Sequence, residues 1–186
     1  MGNIVATEFI SLDGVIEDPG GSESFEHGGW SFEFDRGQEG DRFKLDEALS
    51  SDALLLGRRT YEGFAEAWPS REGEFADLFN DMPKYVVSST LKDPEWNNTT
   101  VLRGDLPAAV TELRTKHQGD IVVHGSAQLV QGLIQTDLLN ELRLMVFPVI
   151  LGQGKRLFGA SPKKTLKLRE TKTVGDGVMI AIYAKA

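Results

Sequence analysis

The sequence predicts one α/β domain over residues 1–186, with a mixed, mostly parallel sheet closed by an antiparallel hairpin. Three observations carry that expectation. Segments of strand character alternate with segments of helical spacing along most of the chain. Ile121-Val122-Val123 is an apolar, β-branched run suited to a strand buried on both faces, and it turns through Gly125 and Ser126 into a helix carrying Leu129, Leu133 and Ile134. Near the C-terminus, Thr165–Val174 and Val178–Lys185 alternate and are joined by Gly175-Asp176-Gly177, a hairpin pattern. With 186 residues the chain is near the ~100–200 of one domain, enough to bury a core without covalent staples.

The elements follow in order. Asn3–Ser11 is β-rich, Leu12-Asp13-Gly14 turns it, and Val15-Ile16-Glu17 continues briefly. Asp18–Asp41 then holds Pro19, six glycines, several acids and the aromatics Phe25, Trp30, Phe32 and Phe34 with no clear period. A loop of that length in a small domain is functional or disordered, and its aromatics favour an ordered lid over a ligand. A helix over Arg42–Ser50 leads to a strand at Ala53–Leu56. Gly57-Arg58-Arg59-Thr60 ends that strand and opens a helix to Trp68, stopped by Pro69. A short helix covers Glu74–Asp81, and Tyr85–Val87 is a strand ending in Ser88-Ser89-Thr90. Thr100–Arg103 is a short strand. In the next helix Pro107 suits an early position, and Lys116, His117 and Gly119 suit the end. Glu141–Leu151 is a long strand whose Pro148 implies a bulge or an edge, and Gly152-Gln153-Gly154 is a loop.

Composition narrows the function. The absence of cysteine excludes disulfides, thiolate metal sites and cysteine nucleophiles. A net charge of -8, with both signs interspersed, argues against nucleic acid or an anionic membrane as partner. No apolar run approaches the ~20 residues of a membrane span, and the expected location is cytoplasmic. Val149 and Arg156 stand where a phosphate loop around Gly152-Gln153-Gly154-Lys155 would need Gly and Ser or Thr. No G-x-G-x-x-G follows a strand. His27, His117 and His124 are far apart, so no metal site is expected.

Three places suit an anion. A strand turning through Gly125-Ser126 into a helix presents free backbone N–H groups. Arg58 and Arg59 precede a helix N-terminus, where a bound anion would offset the unfavourable dipole. Ser88-Ser89-Thr90 offers hydroxyls at the end of a parallel strand. Each has a plain alternative: an ordinary corner, solvated arginines, a simple turn. His124 ends the buried strand beside the first of these places, where it is either a hydrogen-bonded core residue or a ligand contact.

Five stretches in order resemble the dihydrofolate-reductase-like superfamily, and most closely the stand-alone relatives of the reductase domain in bifunctional riboflavin-biosynthesis deaminase-reductases. They are Ser11-Leu12-Asp13-Gly14, Leu55-Leu56-Gly57-Arg58-Arg59-Thr60-Tyr61, Val87-Ser88-Ser89, His124-Gly125-Ser126, and Leu138-Leu139-Asn140-Glu141-Leu142 running through Pro148-Val149-Ile150-Leu151-Gly152 to Leu157-Phe158. The resemblance implies a three-layer dihydrofolate-reductase-like fold, helices on both faces of the sheet, and NADPH as hydride donor to a small heterocyclic or carbonyl substrate. A non-catalytic nucleotide-binding or regulatory protein on the same fold is the alternative.

Carried over by position, the resemblance implies that Gly57, Arg58, Arg59 and Thr60 hold cofactor phosphates. Ser88 and Ser89 lie by the adenosine ribose and its 2′-phosphate. Gly125, Ser126, Ala127 and Gln128 wrap the pyrophosphate, with Leu129 behind. Asp13 is the candidate for proton relay or substrate binding, with a turn-forming Asp-Gly as the plain reading. Glu33 or Asp35 lies near the place of a folate-binding carboxylate. Two departures stand out: His124-Gly125-Ser126 replaces Glu-Gly-Gly, and Asn140 replaces Asp. The histidine makes His124 a substrate contact that predicts poor reduction of the ribosylaminouracil phosphate. Long apolar strands at the C-terminal end, and the habit of the related reductases, predict a homodimer.

Overall fold

The first strand, β1 (Asn3–Ser11), lies in the middle of an eight-stranded sheet in the computed structural model, which describes all 186 residues. The remaining strands are β2 (Ser51–Gly57), β3 (Lys84–Val87), β4 (Thr99–Leu102), β5 (Asp120–His124), β6 (Glu141–Phe147), β7 (Leu166–Val174) and β8 (Val178–Lys185). Their order across the sheet is β4-β3-β2-β5-β1-β6-β8-β7. Strands β1 to β6 pair in parallel, and β8 joins β6 and β7 antiparallel, which is the expected α/β class with its closing hairpin.

Helices cover both faces, as the side chains of β2 show. Ala53 and Leu55 pack with Ile4, Ala6, Ile121 and Val123 under α4 (Leu106–Thr115) and α5 (Ala127–Gln135). Leu54 and Leu56 face the other way, toward α1 (Gly37–Leu49), α2 (Arg58–Ala67) and α3 (Glu74–Asp81) through Ala48, Tyr61 and Phe79. Burying a side chain of this size contributes about 1.5–3 kcal/mol, so a parallel strand sealed on both sides needs the near-continuous apolar run seen here.

Two boundaries shift by several residues from the expectations above. Helix α1 begins at Gly37, ahead of Arg42, and takes in Gly40, which is buried where a Cβ would crowd Arg36 and Val174. Strand β6 ends at Phe147, so Pro148 marks neither a bulge nor an edge; it closes an interior strand. The segment before α1 is ordered around two buried residues. Asp18 accepts from the N–H groups of Ser22 (2.7 Å) and Phe25 (3.3 Å), and Trp30, wholly buried, donates its indole N–H to Glu17 O at 2.8 Å. A short 3-10 turn, Trp30–Glu33, follows from that anchoring. No helix is long and apolar enough to cross a membrane.

Candidate functional site

Strands β2 and β5 are neighbours in register, with Leu55 opposite Val123, and each runs straight into a helix. Two helix N-termini therefore emerge side by side at the C-terminal edge of the sheet, the edge where open α/β sheets bind ligands. The two corners interlock. Ser126 occupies the N-cap position of α5 but is left-handed (φ 64, ψ 71), and its hydroxyl does not cap the helix as expected. Its Oγ instead accepts from Gly57 N (2.9 Å) and shares a hydrogen bond with Thr60 Oγ1 (2.8 Å). A Cβ at Gly57 would lie 2.4 Å from that Oγ, and a Cβ at Gly125 would lie 2.9 Å from Thr60 Oγ1. Glycine at both positions is what lets the corners close on one another.

The consequence is electrostatic. With Ser126 turned aside and Gly57 heading α2, neither helix has a side-chain cap, so the first-turn amides and the positive dipole ends are left for a ligand. A cavity of about 1240 Å³ opens over both, larger than the ~300–1,000 Å³ of common small-molecule pockets. The structure brings Gly57, Arg58, Arg59, Thr60, Ser88, Ser89, Gly125, Ser126, Ala127, Gln128, Leu129 and His124 together along this one cavity.

Their individual states differ. Arg58 heads α2 and pairs with Glu62 at 3.1 Å, whereas Arg59 is exposed and makes no ion pair. Ser88 is buried, and its Oγ accepts from Thr90 N (3.2 Å) and Leu91 N (3.0 Å), so that hydroxyl builds the turn. Ser89 beside it is exposed. Arg103, which no sequence motif singles out, holds the same turn by donating to Ser89 O at 3.0 Å.

His124 stands in the wall against Phe79 and Phe64, ring centroids 5.1 and 6.3 Å away. Its ring has no hydrogen bond to the protein, which removes the reading of a hydrogen-bonded core histidine. Burial, with repulsion from Lys44, pushes its pKa down to about 3 against the pull of Glu47. The ring is neutral at physiological pH, with one nitrogen to donate and one to accept.

Asp13 is not among these residues. It lies past the end of β1, outside the cavity wall, where its carboxylate accepts from Ser11 Oγ (2.6 Å), Leu151 N (3.1 Å) and Gly152 N (2.8 Å). The bond from Ser11, helped by the two backbone N–H groups, holds its pKa near 2 despite some desolvation. A carboxylate so placed staples the turn to the loop after β6; the geometry does not carry the expected proton relay. Glu33 and Asp35 are exposed and also lie away from the cavity, and Asp35 ties the segment before α1 to Asp176 in the hairpin turn.

Several carboxyls line the cavity, among them Glu17, Asp18 and Glu23, and the one with an unpartnered buried oxygen is Glu8, 5% exposed on β1. Its Oε2 accepts from Gly125 N at 3.2 Å, and its Oε1 is buried with no partner. Burial pushes its pKa up to about 8, although the Gly125 bond and the Lys44 charge pull the other way. Lys44 of α1, itself buried, donates to Thr7 Oγ1 at 2.9 Å and pairs with Glu47. Burial works to raise the pKa of Glu47, but Lys44 and the nearby Arg143 outweigh it and hold Glu47 ionised. The signal for Glu8 was present in the sequence: an acid alternating with Ile4, Ala6 and Ile10 on the face of a strand that is otherwise apolar there.

Comparison with known proteins agrees with this architecture. Residues 3–180 match the family model of the RibD C-terminal domain. The Bacillus subtilis (strain 168) protein YyaP is 28% identical over 180 residues, covering 94% of this chain and 90% of its own. Among solved structures, a putative riboflavin biosynthesis protein from Shewanella sp. PV-4 superposes with a TM-score of 0.80 at 22% identity, covering 100% of this chain and 99% of that one. The RibD protein of Acinetobacter baumannii gives a TM-score of 0.70 at 15% identity, with all of this chain matching 58% of that longer one. At those identities the structural likeness speaks for the fold.

Proposed function

The chain belongs to the RibD C-terminal domain family, a family of reductases, and from that premise we propose that it is an NADPH-dependent reductase of a small heterocyclic or carbonyl acceptor. The observation that carries the reading is the pair of uncapped helix N-termini facing one large cavity, with the unpaired Arg59 on its rim. When bound, the dinucleotide supplies the hydride; the protein supplies position and electrostatics.

The residues fit that cofactor. The amides of Ala127 and Gln128 and those opening α2 face the pyrophosphate, with Leu129 packed behind. The role of Ser126 and Thr60 is to lock the two corners, since their hydroxyls are already engaged. Arg59 and Ser89 meet the 2′-phosphate, while Ser88 and Arg103 hold the turn that presents Ser89. His124 contacts the acceptor, and Phe64 and Phe79 line an apolar wall beside it. That wall and a neutral histidine favour an acceptor less polar than the ribosylaminouracil phosphate.

Calorimetry with NADPH and NADH, followed by NADPH oxidation with an aryl aldehyde, a cyclic imine, dihydrofolate and the ribosylaminouracil phosphate, tests the proposal. We expect tight NADPH binding, weaker NADH binding and slow turnover of the aminouracil, which His124→Glu accelerates. No binding of either nucleotide overturns the reading. Binding without oxidation of any acceptor leaves a nucleotide-binding protein on a reductase fold.

The same proposal includes a homodimer, supported by the exposed Leu166, Leu168 and Met179 on the outer hairpin. Light scattering at micromolar concentration checks it, and a stable monomer refutes it.

A further inference from the structure

Among the carboxyls of the chain, Glu8 alone is both buried and left with an oxygen that nothing in the protein satisfies. Buried polar atoms without partners are rare, and each asks for an explanation. Here the orphaned Oε1 belongs to a residue in the cavity wall, next to the β5–α5 corner through the bond from Gly125 N to Oε2.

That bond also sorts the two oxygens. An N–H donor facing Oε2 fixes it as the accepting, carbonyl-like oxygen. In the neutral carboxyl the proton then sits on Oε1, the atom with no partner. We propose that Glu8 is the proton donor of the reduction, delivering the Oε1 proton to the heteroatom of a C=O or C=N acceptor in the cavity. The proposal rests on the reductase reading given above.

The acceptor carbon gains the hydride of the reduced nicotinamide, and the π electron pair moves to the oxygen or nitrogen. That atom takes the proton from Oε1, leaving an alcohol or amine and a Glu8 carboxylate. Water entering the cavity returns the proton, so the net change is one acceptor, one NADPH and one proton converted to reduced acceptor and NADP⁺.

The surroundings suit both states of the acid. The titratable and charged groups in the buried cluster are Lys44 and Glu47 of α1 and His124 of β5, with Arg143 of β6 behind Glu47. Glu47 is neutralised by Lys44 and Arg143, so the cluster does not demand a second negative charge at rest. After proton transfer, the Lys44 charge and the Gly125 N–H stabilise the carboxylate. His124 is neutral and competes for no proton at physiological pH. An acid with a pKa of about 8 is also matched to proton donation near neutrality.

The test uses the full chain and Glu8→Gln, which keeps the shape and the acceptor for Gly125 N–H but removes the acid. NADPH affinity by calorimetry should stay within about twofold. With the panel acceptor that the wild type turns over fastest, kcat should fall by roughly 100-fold or more, the usual worth of a general acid. The wild-type rate should decline as pH rises through about 8, and the variant should lose that limb. Independently of turnover, carbon NMR of the chain labelled at glutamate carboxyls, assigned with the same variant, should show Glu8 still protonated at pH 7. Full turnover of Glu8→Gln, or a Glu8 signal that ionises with the surface carboxylates, overturns this proposal alone. A wild-type chain that binds no NADPH overturns the reductase reading and the donor role with it.

Discussion

Glu8 lies within β1 and Asp13 in the turn just past its end, and the protein treats their carboxyls in opposite ways. Glu8 receives one N–H on one oxygen, none on the other, and has a pKa of about 8. Asp13 receives Ser11 Oγ, two backbone N–H groups and the Arg156 guanidinium, and has a pKa of about 2. A fully satisfied carboxylate fixes a turn and has no proton to give. An under-satisfied one, buried in the wall of a cavity, is held ready for chemistry. The Asp-Gly turn is the conspicuous feature in the sequence, yet the acid in the strand is the one placed to act.

The largest test of that contrast is stability against pH. The pKa of Glu8 is raised in the fold, so its contribution is fully present below about 4.5 and is lost as pH climbs toward about 8. Each pH unit across that window is worth ~1.4 kcal/mol, so the loss amounts to a few kcal/mol. Glu8→Gln should match the wild type near pH 4 in urea titrations and exceed it by that amount at pH 8. If the two chains show parallel pH profiles, Glu8 is not held protonated. Asp13→Asn comes next: replacing one accepting oxygen by an NH₂ leaves a backbone donor facing another donor, which costs about 2–3 kcal/mol. NADPH affinity should be untouched, and a selective loss of that affinity would put Asp13 back at the site.

The same distinction between satisfied and free groups applies to the cations and hydroxyls of the cavity. Arg59→Ala removes an unpaired charge and should weaken NADPH roughly tenfold, about 1.4 kcal/mol, while NADH changes little. Equal loss for both nucleotides breaks the 2′-phosphate assignment. Ser126→Ala removes an engaged hydroxyl, leaving Gly57 N–H without its partner, and should lower stability by about 1 kcal/mol. Arg58→Ala should matter least for stability, within about 0.5 kcal/mol, because the exposed pair with Glu62 is the kind that contributes little.

The cavity edge was legible where local chemistry decides the outcome. Ile121-Val122-Val123 followed by Gly125-Ser126, and Leu54-Leu55-Leu56 followed by Gly57, announce buried strands turning into helices, and the fold puts them side by side. What escaped depends on contacts between distant residues. The hydroxyl of Ser126 chooses Gly57 and Thr60 over its own helix, and no local pattern reveals that choice. Gly37 and Gly40 hid the start of α1, because the neighbours that face these glycines include Gly175 and Val174, far along the chain. Glu8 is hard to single out because one acid does not disturb the strand pattern. Its state is set by burial, against the pull of Gly125 and Lys44, and that burial needs β5 and β6, which lie far along the chain. The resemblance to riboflavin-pathway reductases points to a carboxyl at the place of His124; the fold sets one on the neighbouring strand.

The central position of β1 also governs when the molecule can assemble. Both of its partners come late: β5 begins at Asp120 and β6 at Glu141. At ~5–20 residues per second of synthesis, the largely apolar stretch from Ile4 to Ile10 waits roughly 5–30 seconds for its neighbours. Contacts that span so much of the chain make for slow folding, and an unpaired apolar strand is a template for self-association meanwhile. In the extended chain Glu8 is an ordinary ionised glutamate, the single charge in β1, and breaks up the stretch that would otherwise stack on copies of itself. One residue thus serves as a gatekeeper on the ribosome and as a neutral acid once the sheet has closed around it.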